Sequence, residues 1–261
     1  MKNNRLSAGD WAERIVLALL FIGFGGLIMI VFKPWGKQNF SNPVDNYLWR
    51  IGLSVVLLAV AWLAHRSMRY EKYWQIFFAF FILATALSLD WVFGQFLYNS
   101  LHLSDATPAG WGYEKLNEIA VIVGVVIIFN RLSGNSLGSI YIQKGNLKLG
   151  LIIGVVAFII SVAGSIPMAE LLFKGEGLTL ARVLPWAPWI LIIVLVNGAL
   201  EEILFRGLFL RKLQPFYGKF ISNLLVMLVF TALHQGVDYT SNNWIFLAAT
   251  SLVALAWGYV M

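Results

Sequence analysis

Residues 188–210 read PWILIIVLVNGALEEILFRGLFL, an apolar run interrupted by Asn197 and by three charges, Glu201, Glu202 and Arg206. As an α-helix rising about 1.5 Å per residue, a run of this length crosses a hydrocarbon layer of roughly 30 Å. A charge inside such a span costs about 2.5–3.5 kcal/mol on insertion scales, so three within six residues mark a site rather than filler. Working outward, comparable runs occur at 15–32, 47–64, 75–98, 116–132, 149–170, 219–237 and 243–261. The predicted fold is therefore all-α: a polytopic transmembrane helical bundle of about eight spans. The fourth is the weakest, because its charge-free core from Ile119 to Asn130 is short and requires Glu118 and Arg131 to lie near the interfaces.

The composition agrees with this reading. Of 261 residues, 59% are hydrophobic and 12% charged, where soluble domains carry about a quarter charged residues. Three segments follow: 1–132 with spans 1 to 4, a polar loop at 133–148, and a core at 149–261. Cysteine is absent, which excludes disulfides and thiolate chemistry and leaves His, Asp, Glu or amide oxygen as metal ligands. The net charge of +6 reads as basic loops on one membrane face, with no nucleic-acid partner. Counted on alternate sides of the spans, Lys and Arg divide into 13 (2, 5, 14, 66, 69, 72, 131, 144, 148, 206, 211, 212, 219) and 6 (33, 37, 50, 115, 174, 182). That excess assigns the N-terminus and the loops after spans 2, 4 and 6 to the cytoplasm. The first span follows Asp10 and Glu13 without a small-residue cleavage pattern and reads as retained, not as a signal peptide.

Small residues at close spacing, Gly150 and Gly154 in span 5 and Gly23, Gly25 and Gly26 in span 1, are expected to serve helix packing. Asp90 lies inside span 3 and is expected to be paired or water-exposed. Gly134-Asn-Ser136-Leu-Gly138 matches a nucleophile-elbow pattern in form, but no strand precedes it, and it reads as a loop. His-Glu-x-x-His does not occur. A second intramembrane aspartate, which an aspartyl protease would need, is also missing.

The charges in span 6 divide by spacing. Glu202 and Arg206 are four residues apart in the acid-first order that favours an ion pair on one helix face. Glu201 points about 100° away and lacks that partner. An unpaired carboxylate in a low-dielectric cavity suits a general base that takes a proton from water. In span 7, Phe230-Thr-Ala-Leu-His234 sets a histidine deep in an apolar helix, where it can hold water or a metal or donate to an oxyanion. Counted from Arg211 and Lys212, Glu201 is about 15 Å deep; counted from Lys219, His234 is about 22 Å deep. A shared polar cavity between the two spans is therefore expected, with Phe230 packing against or shielding it.

Glu-Glu-x-x-x-Arg at 201–206, followed by Phe-x-x-x-His at 230–234 on the next span, resembles the CPBP intramembrane protease family, which includes CAAX prenyl endopeptidases and the bacteriocin-processing or Abi group. The resemblance covers about 149–261. It implies a cavity within the bilayer that hydrolyses peptide bonds of membrane-associated or prenylated-type substrates. By motif position, Glu201 is the water-activating base and His234 helps to bind or polarise water or the substrate carbonyl. Glu202 and Arg206 are the supporting pair. Metalloprotease chemistry, with Zn²⁺ on Glu201 and His234, and a glutamate-activated water without cofactor both stay open; two ligands are too few for a closed zinc site. The family pattern continues with a later helix carrying His, often followed four residues on by Asn or Asp. No histidine follows His234, and Met261 ends an apolar run. The sequence is read as C-terminally truncated; the other reading is a natural variant with an incomplete, inactive site.

The sequence thus reads as a multi-pass intramembrane endopeptidase of a bacterial inner membrane, whose partners are the lipid bilayer and a peptide or protein substrate. Two rivals use the same charges: a proton- or cation-coupled multi-pass transporter, and a catalytically silent immunity or scaffold protein.

Overall fold

In the computed structural model, which describes residues 8–32, 42–104, 107–172, 175–235, 240 and 242–260, the apolar runs are helices. The long ones are α1 (Ala8–Phe32), α2 (Pro43–Arg66), α3 (Trp74–Phe93), α5 (Pro108–Leu132), α6 (Leu147–Leu172), α8 (Ala187–Glu201), α9 (Arg211–Leu233) and α10 (Asn243–Val260). The short α4 (Phe96–Ser100) and α7 (Leu180–Val183) lie between them, and a π-helix, Glu202–Leu210, joins α8 to α9. No strand occurs among the described residues. Lys2, Arg5, Lys33, Lys37, Lys174 and Met261 lie outside the described residues.

Five stretches are long and apolar enough to cross a membrane: Ala8–Met29, Pro43–Arg66, Glu71–Phe93, Leu147–Leu171 and Leu180–Leu233. The chain is an integral membrane protein. The last stretch holds two helices that meet at a kink: it takes in the sixth predicted span and the seventh as far as Leu233, with residues 211–217 helical where a loop was expected. The break there is a single residue, Gly218, at φ 71° and ψ 177°, a left-handed φ that glycine adopts without a Cβ clash. α10 is a shorter apolar helix. α5 carries Glu114, Lys115, Glu118 and Arg131 and falls outside the set.

Local sequence explains where helices start. Asn42 caps α2 by accepting from the Val44 amide at 3.0 Å, and Thr107 caps α5 by accepting from the Gly110 amide at 3.1 Å. In both, proline follows at the first helical position, where its missing N–H costs nothing. α2 packs on α3, α3 on α5, α5 on α8, and α9 on both α1 and α10. The buried core centres on α3, the π-helix and α9, where Phe209 meets Phe21 at 5.3 Å and Phe80 at 4.8 Å. α6 has no buried residue among those described, so its apolar surface matches a lipid environment.

Two expectations change. A Cβ on Gly25 would stand 2.8 Å from Val229 Cγ1, so this glycine does let α1 approach α9, whereas a Cβ on Gly23, Gly26, Gly150 or Gly154 would meet nothing within 4 Å. Arg50 and Lys115, counted as loop charges, sit inside α2 and α5, and Arg206 is buried in the π-helix. Setting these three aside leaves 12 basic residues against 4, a stronger asymmetry than 13 to 6.

Arg50 is 2% exposed. Its Nε donates to Asn46 Oδ1 at 2.7 Å, and its two Nη atoms donate to Leu87 O at 3.2 Å and Phe32 O at 2.9 Å. One guanidinium thus ties α2 to α3 and satisfies a carbonyl at the end of α1 that the helix leaves without a partner. Replacing Arg50 by Met strands these acceptors, with an expected cost of about 3 kcal/mol. In a detergent melt that is a fall of roughly 6–12 °C; an unchanged melting temperature would mean that the carbonyls find other donors.

Candidate active site

The charged run in 197–206 is divided between two kinds of helix. α8 ends at Glu201, and the i→i+5 ladder of the π-helix begins at Glu202. π-helical segments are rare and gather at functional sites. Every residue from Leu204 to Leu210 is buried.

Arg206 organises this segment. It is 2% exposed, with Nη1 3.0 Å from Glu202 Oε1, Nη2 donating to Ala254 O at 3.0 Å, and the guanidinium 5.0 Å from the centre of the Phe230 ring. The expected ion pair is present despite the change of helix type, and the same guanidinium reaches α9 and α10. A buried cation of this kind needs both a counter-charge and hydrogen-bond acceptors. Arg206 Nε and Glu202 Oε2 are nonetheless buried without hydrogen-bond partners among the described residues.

Glu201 is not paired with Arg206. Asn197, one turn earlier on α8, donates its amide to Glu201 Oε1 at 2.7 Å. Sequence reasoning assigns Asn197 no role; its spacing of four from Glu201 is the available signal. A second set of groups missed from sequence lies on α5. A Cβ on Gly112 would stand 2.7 Å from the Trp189 ring, and Tyr113 packs on that ring at 5.7 Å. α5 packs along α8, so Lys115 and Glu118 are carried by the helix beside the one that bears Glu201. From the shared contact, six residues of α5 reach Glu118 and eight of α8 reach Asn197, about 9 and 12 Å along the two helices. Glu118 is 6% exposed and ion-paired with Lys115. Glu118 is thus turned into the bundle and not outward along α5. Asp90 lies on α3, which packs on α5, and its Oδ1 is buried without a hydrogen-bond partner among the described residues.

His234 also differs from expectation. α9 ends at Leu233, so His234 caps the helix in a turn instead of lying deep inside it. Its Nδ1 is 2.9 Å from Phe230 O. A carbonyl only accepts, so Nδ1 carries the proton and the neutral ring presents Nε2 as an acceptor. The ring packs on Phe230 at 4.6 Å and on Phe246 of α10 at 6.0 Å, while Phe230 meets Phe205 edge-on at 5.0 Å. Phe230 thus stands between the π-helix and His234, as a shielding residue would. Nearby, Thr231 and Ser251 share a hydrogen bond of 3.1 Å that joins α9 to α10.

Zinc can be tested against these donors. Glu201 and His234 are two candidate ligands where a catalytic zinc site has three from the protein. Among the described residues, no group of three or more His, Asp and Glu stands together. Two ligands from the described residues fall one short of such a site, and the chemistry below is derived from side chains and water.

The loop at 133–148 closes the other end. Arg211 donates to Gly138 O and stacks 4.8 Å from the centre of the Tyr141 ring. A Cβ on Gly207 would stand 3.1 Å from Ile140 O, so the loop rests directly on the π-helix. Burial pushes the Tyr141 phenol above its ordinary pKa, against the opposing pull of Arg211. Ser136 directly precedes a 3₁₀ turn, Leu137–Ile140, and its carbonyl accepts from Asn130 Nδ2 at 3.0 Å. That is a structural loop, as its sequence context implied.

Residues 183–261 match the family model described as type II CAAX prenyl endopeptidase Rce1-like. The matched stretch contains Glu201, Glu202, Arg206 and His234, so the resemblance carried by the two motifs falls within it. No curated protein and no solved structure matches the chain.

The pair at the centre of this site can be measured. Glu202→Gln leaves the buried Arg206 charge uncompensated, with an expected cost of about 3 kcal/mol in a detergent melt. In a double-mutant cycle with Arg206→Met, the combined loss should be smaller than the sum by at least about 1 kcal/mol. Additive losses would mean that the two side chains do not interact.

Proposed function

We propose that this protein is an intramembrane endopeptidase that hydrolyses peptide bonds of membrane-associated substrates of the CAAX prenylated type. The observation that carries the reading is a carboxylate held by an amide, Glu201 with Asn197, beside a buried Glu202–Arg206 pair, within a stretch matched by that family. In this reading all eight long helices cross a bacterial inner membrane. The N-terminus and the loop at 133–148 face the cytoplasm, in keeping with the asymmetry of basic residues.

Glu201 acts as the general base. Its carboxylate takes a proton from a water whose oxygen attacks the scissile carbonyl carbon, and later delivers that proton to the departing nitrogen. Asn197 positions the carboxylate by holding one oxygen. His234, with Nδ1–H committed to Phe230 O, orients the water by accepting from it at Nε2, a role its neutral tautomer supports better than donation to an oxyanion. Glu202 and Arg206 fix the π-helix that follows directly on Glu201 at the end of α8, and set the local field. The Lys115–Glu118 pair forms the facing wall.

Purified protein in lipid vesicles, given a membrane-anchored peptide with a cleavable C-terminal segment, tests this reading. Glu201→Gln keeps the size and hydrogen bonding of the side chain but cannot take a proton. Cleavage is expected to fall by a factor of about 100 or more, with the melting temperature close to wild type. Asn197→Ala should lower kcat by about tenfold with KM little changed, since it positions the base and does not touch substrate. Undiminished cleavage by Glu201→Gln would remove that residue from the mechanism.

A further inference from the structure

The basic end of the bundle contains a cation that nothing among the described residues balances. A cavity of 510 Å³ opens where the turn Glu71–Tyr73, the start of α3, the loop at Ser139 and the start of α9 meet. Its wall carries three cations, Lys72, Arg211 and Lys212, against one carboxylate, Glu71. Two of the three cations are engaged: Lys72 is 2.7 Å from Glu13 Oε2, and Arg211 donates to Gly138 O and stacks on Tyr141. Lys212 is different. Its Nζ is sealed from bulk solvent and has no hydrogen-bond partner among the described residues. An ammonium group with three donors and no acceptor is one of the least favourable things a fold can bury. The partners of Arg211, next to it in sequence, are a carbonyl and an aromatic ring, and neither brings a negative charge to this end of the bundle. The remaining wall combines the aromatic Trp74 and Phe216 with the uncharged polar side chains of Gln75 and Ser139.

We infer that this cavity binds a phosphate group: the Lys212 ammonium, sealed behind the cavity wall, turns its flexible side chain inward to become the central ligand, with Arg211 and Lys72 as the surrounding charges. The combination of a compact ammonium with a guanidinium suits tetrahedral oxyanions. Aromatic residues at the mouth of a basic pocket between membrane helices favour a phosphate that arrives on an anionic phospholipid, whose acyl chains stay in the bilayer. Free phosphate offers the same chemistry, and the experiment separates the two sources. Neither Glu201 nor His234 lines the cavity, and the inference does not depend on peptide hydrolysis.

The test is thermal melting of the whole protein in nanodiscs, followed by tryptophan fluorescence. In phosphatidylglycerol discs the wild type is expected to melt roughly 5 °C higher than in phosphatidylcholine discs. Lys212→Arg should keep the gap, and Lys212→Met should close it. A rise in phosphatidylcholine discs on adding excess inorganic phosphate, absent in Lys212→Met, supports the site with free phosphate as its occupant. A wild type that responds to neither, or a lipid gap as large in Lys212→Met as in wild type, overturns the inference. If Lys212→Met fails to fold, Lys212→Gln takes its place and the same outcomes decide.

Discussion

Arg206 is a guanidinium at 2% exposure, and a buried cation tolerates few arrangements. It needs a counter-charge, acceptors for its N–H groups and a polarisable neighbour, and here these come from three different elements. Glu202 supplies the charge from the π-helix, Ala254 a carbonyl from α10 and Phe230 a ring from α9. Removing any of them leaves the cation under-solvated, so the three elements are held in one arrangement. Glu201 lies one residue before this clamp and His234 one turn beyond Phe230. The position of both proposed catalytic groups is thus inherited from the constraint on Arg206, although the guanidinium itself takes no part in the proposed proton transfers.

The N-terminal half of the chain is joined to this site rather than set apart from it. α1 approaches α9 closely at Gly25, α3 supplies Phe80 to the ring cluster around Phe209, and α5 brings Lys115 and Glu118 alongside α8. Arg50 performs within α1, α2 and α3 what Arg206 performs within the π-helix, α9 and α10. Each half is therefore organised around a buried arginine that gathers carbonyls from neighbouring helices. Matching to the Rce1-like family covers residues 183–261 alone, yet the environment of Glu201 includes charges from well outside that stretch.

Hydropathy made the helices legible, because a membrane span is a long-range average over some twenty residues and tolerates local error. It is a poor guide to how such helices are linked or locally wound. The run 211–218 reads as a loop since Arg211, Lys212, Gln214 and Lys219 are polar, yet Arg211 is satisfied by Gly138 O and the helix continues to the kink at Gly218. The π-helix left no trace in the pattern, because winding by i→i+5 depends on packing around Arg206 and not on residue preference. The Glu202–Arg206 pair was legible because it is a contact within one helix at a fixed spacing. The link from Glu201 to Lys115 and Glu118 was not, because it crosses between helices some eighty residues apart and α5 was read through its interfaces. His234 falls inside a span read from sequence as far as 237; the structure ends the helix at Leu233, and the proton on Nδ1 is explained by Phe230 O.

The central claim is that the site hydrolyses a peptide bond with water. The most direct measurement is to incubate the reconstituted wild-type protein with a membrane-anchored peptide in water enriched in oxygen-18 and to weigh the products. The account predicts two fragments, with one heavy oxygen in the newly formed carboxylate and a new free amine on the other. Recovery of the intact peptide from folded protein, or of fragments without the heavy oxygen, would contradict it.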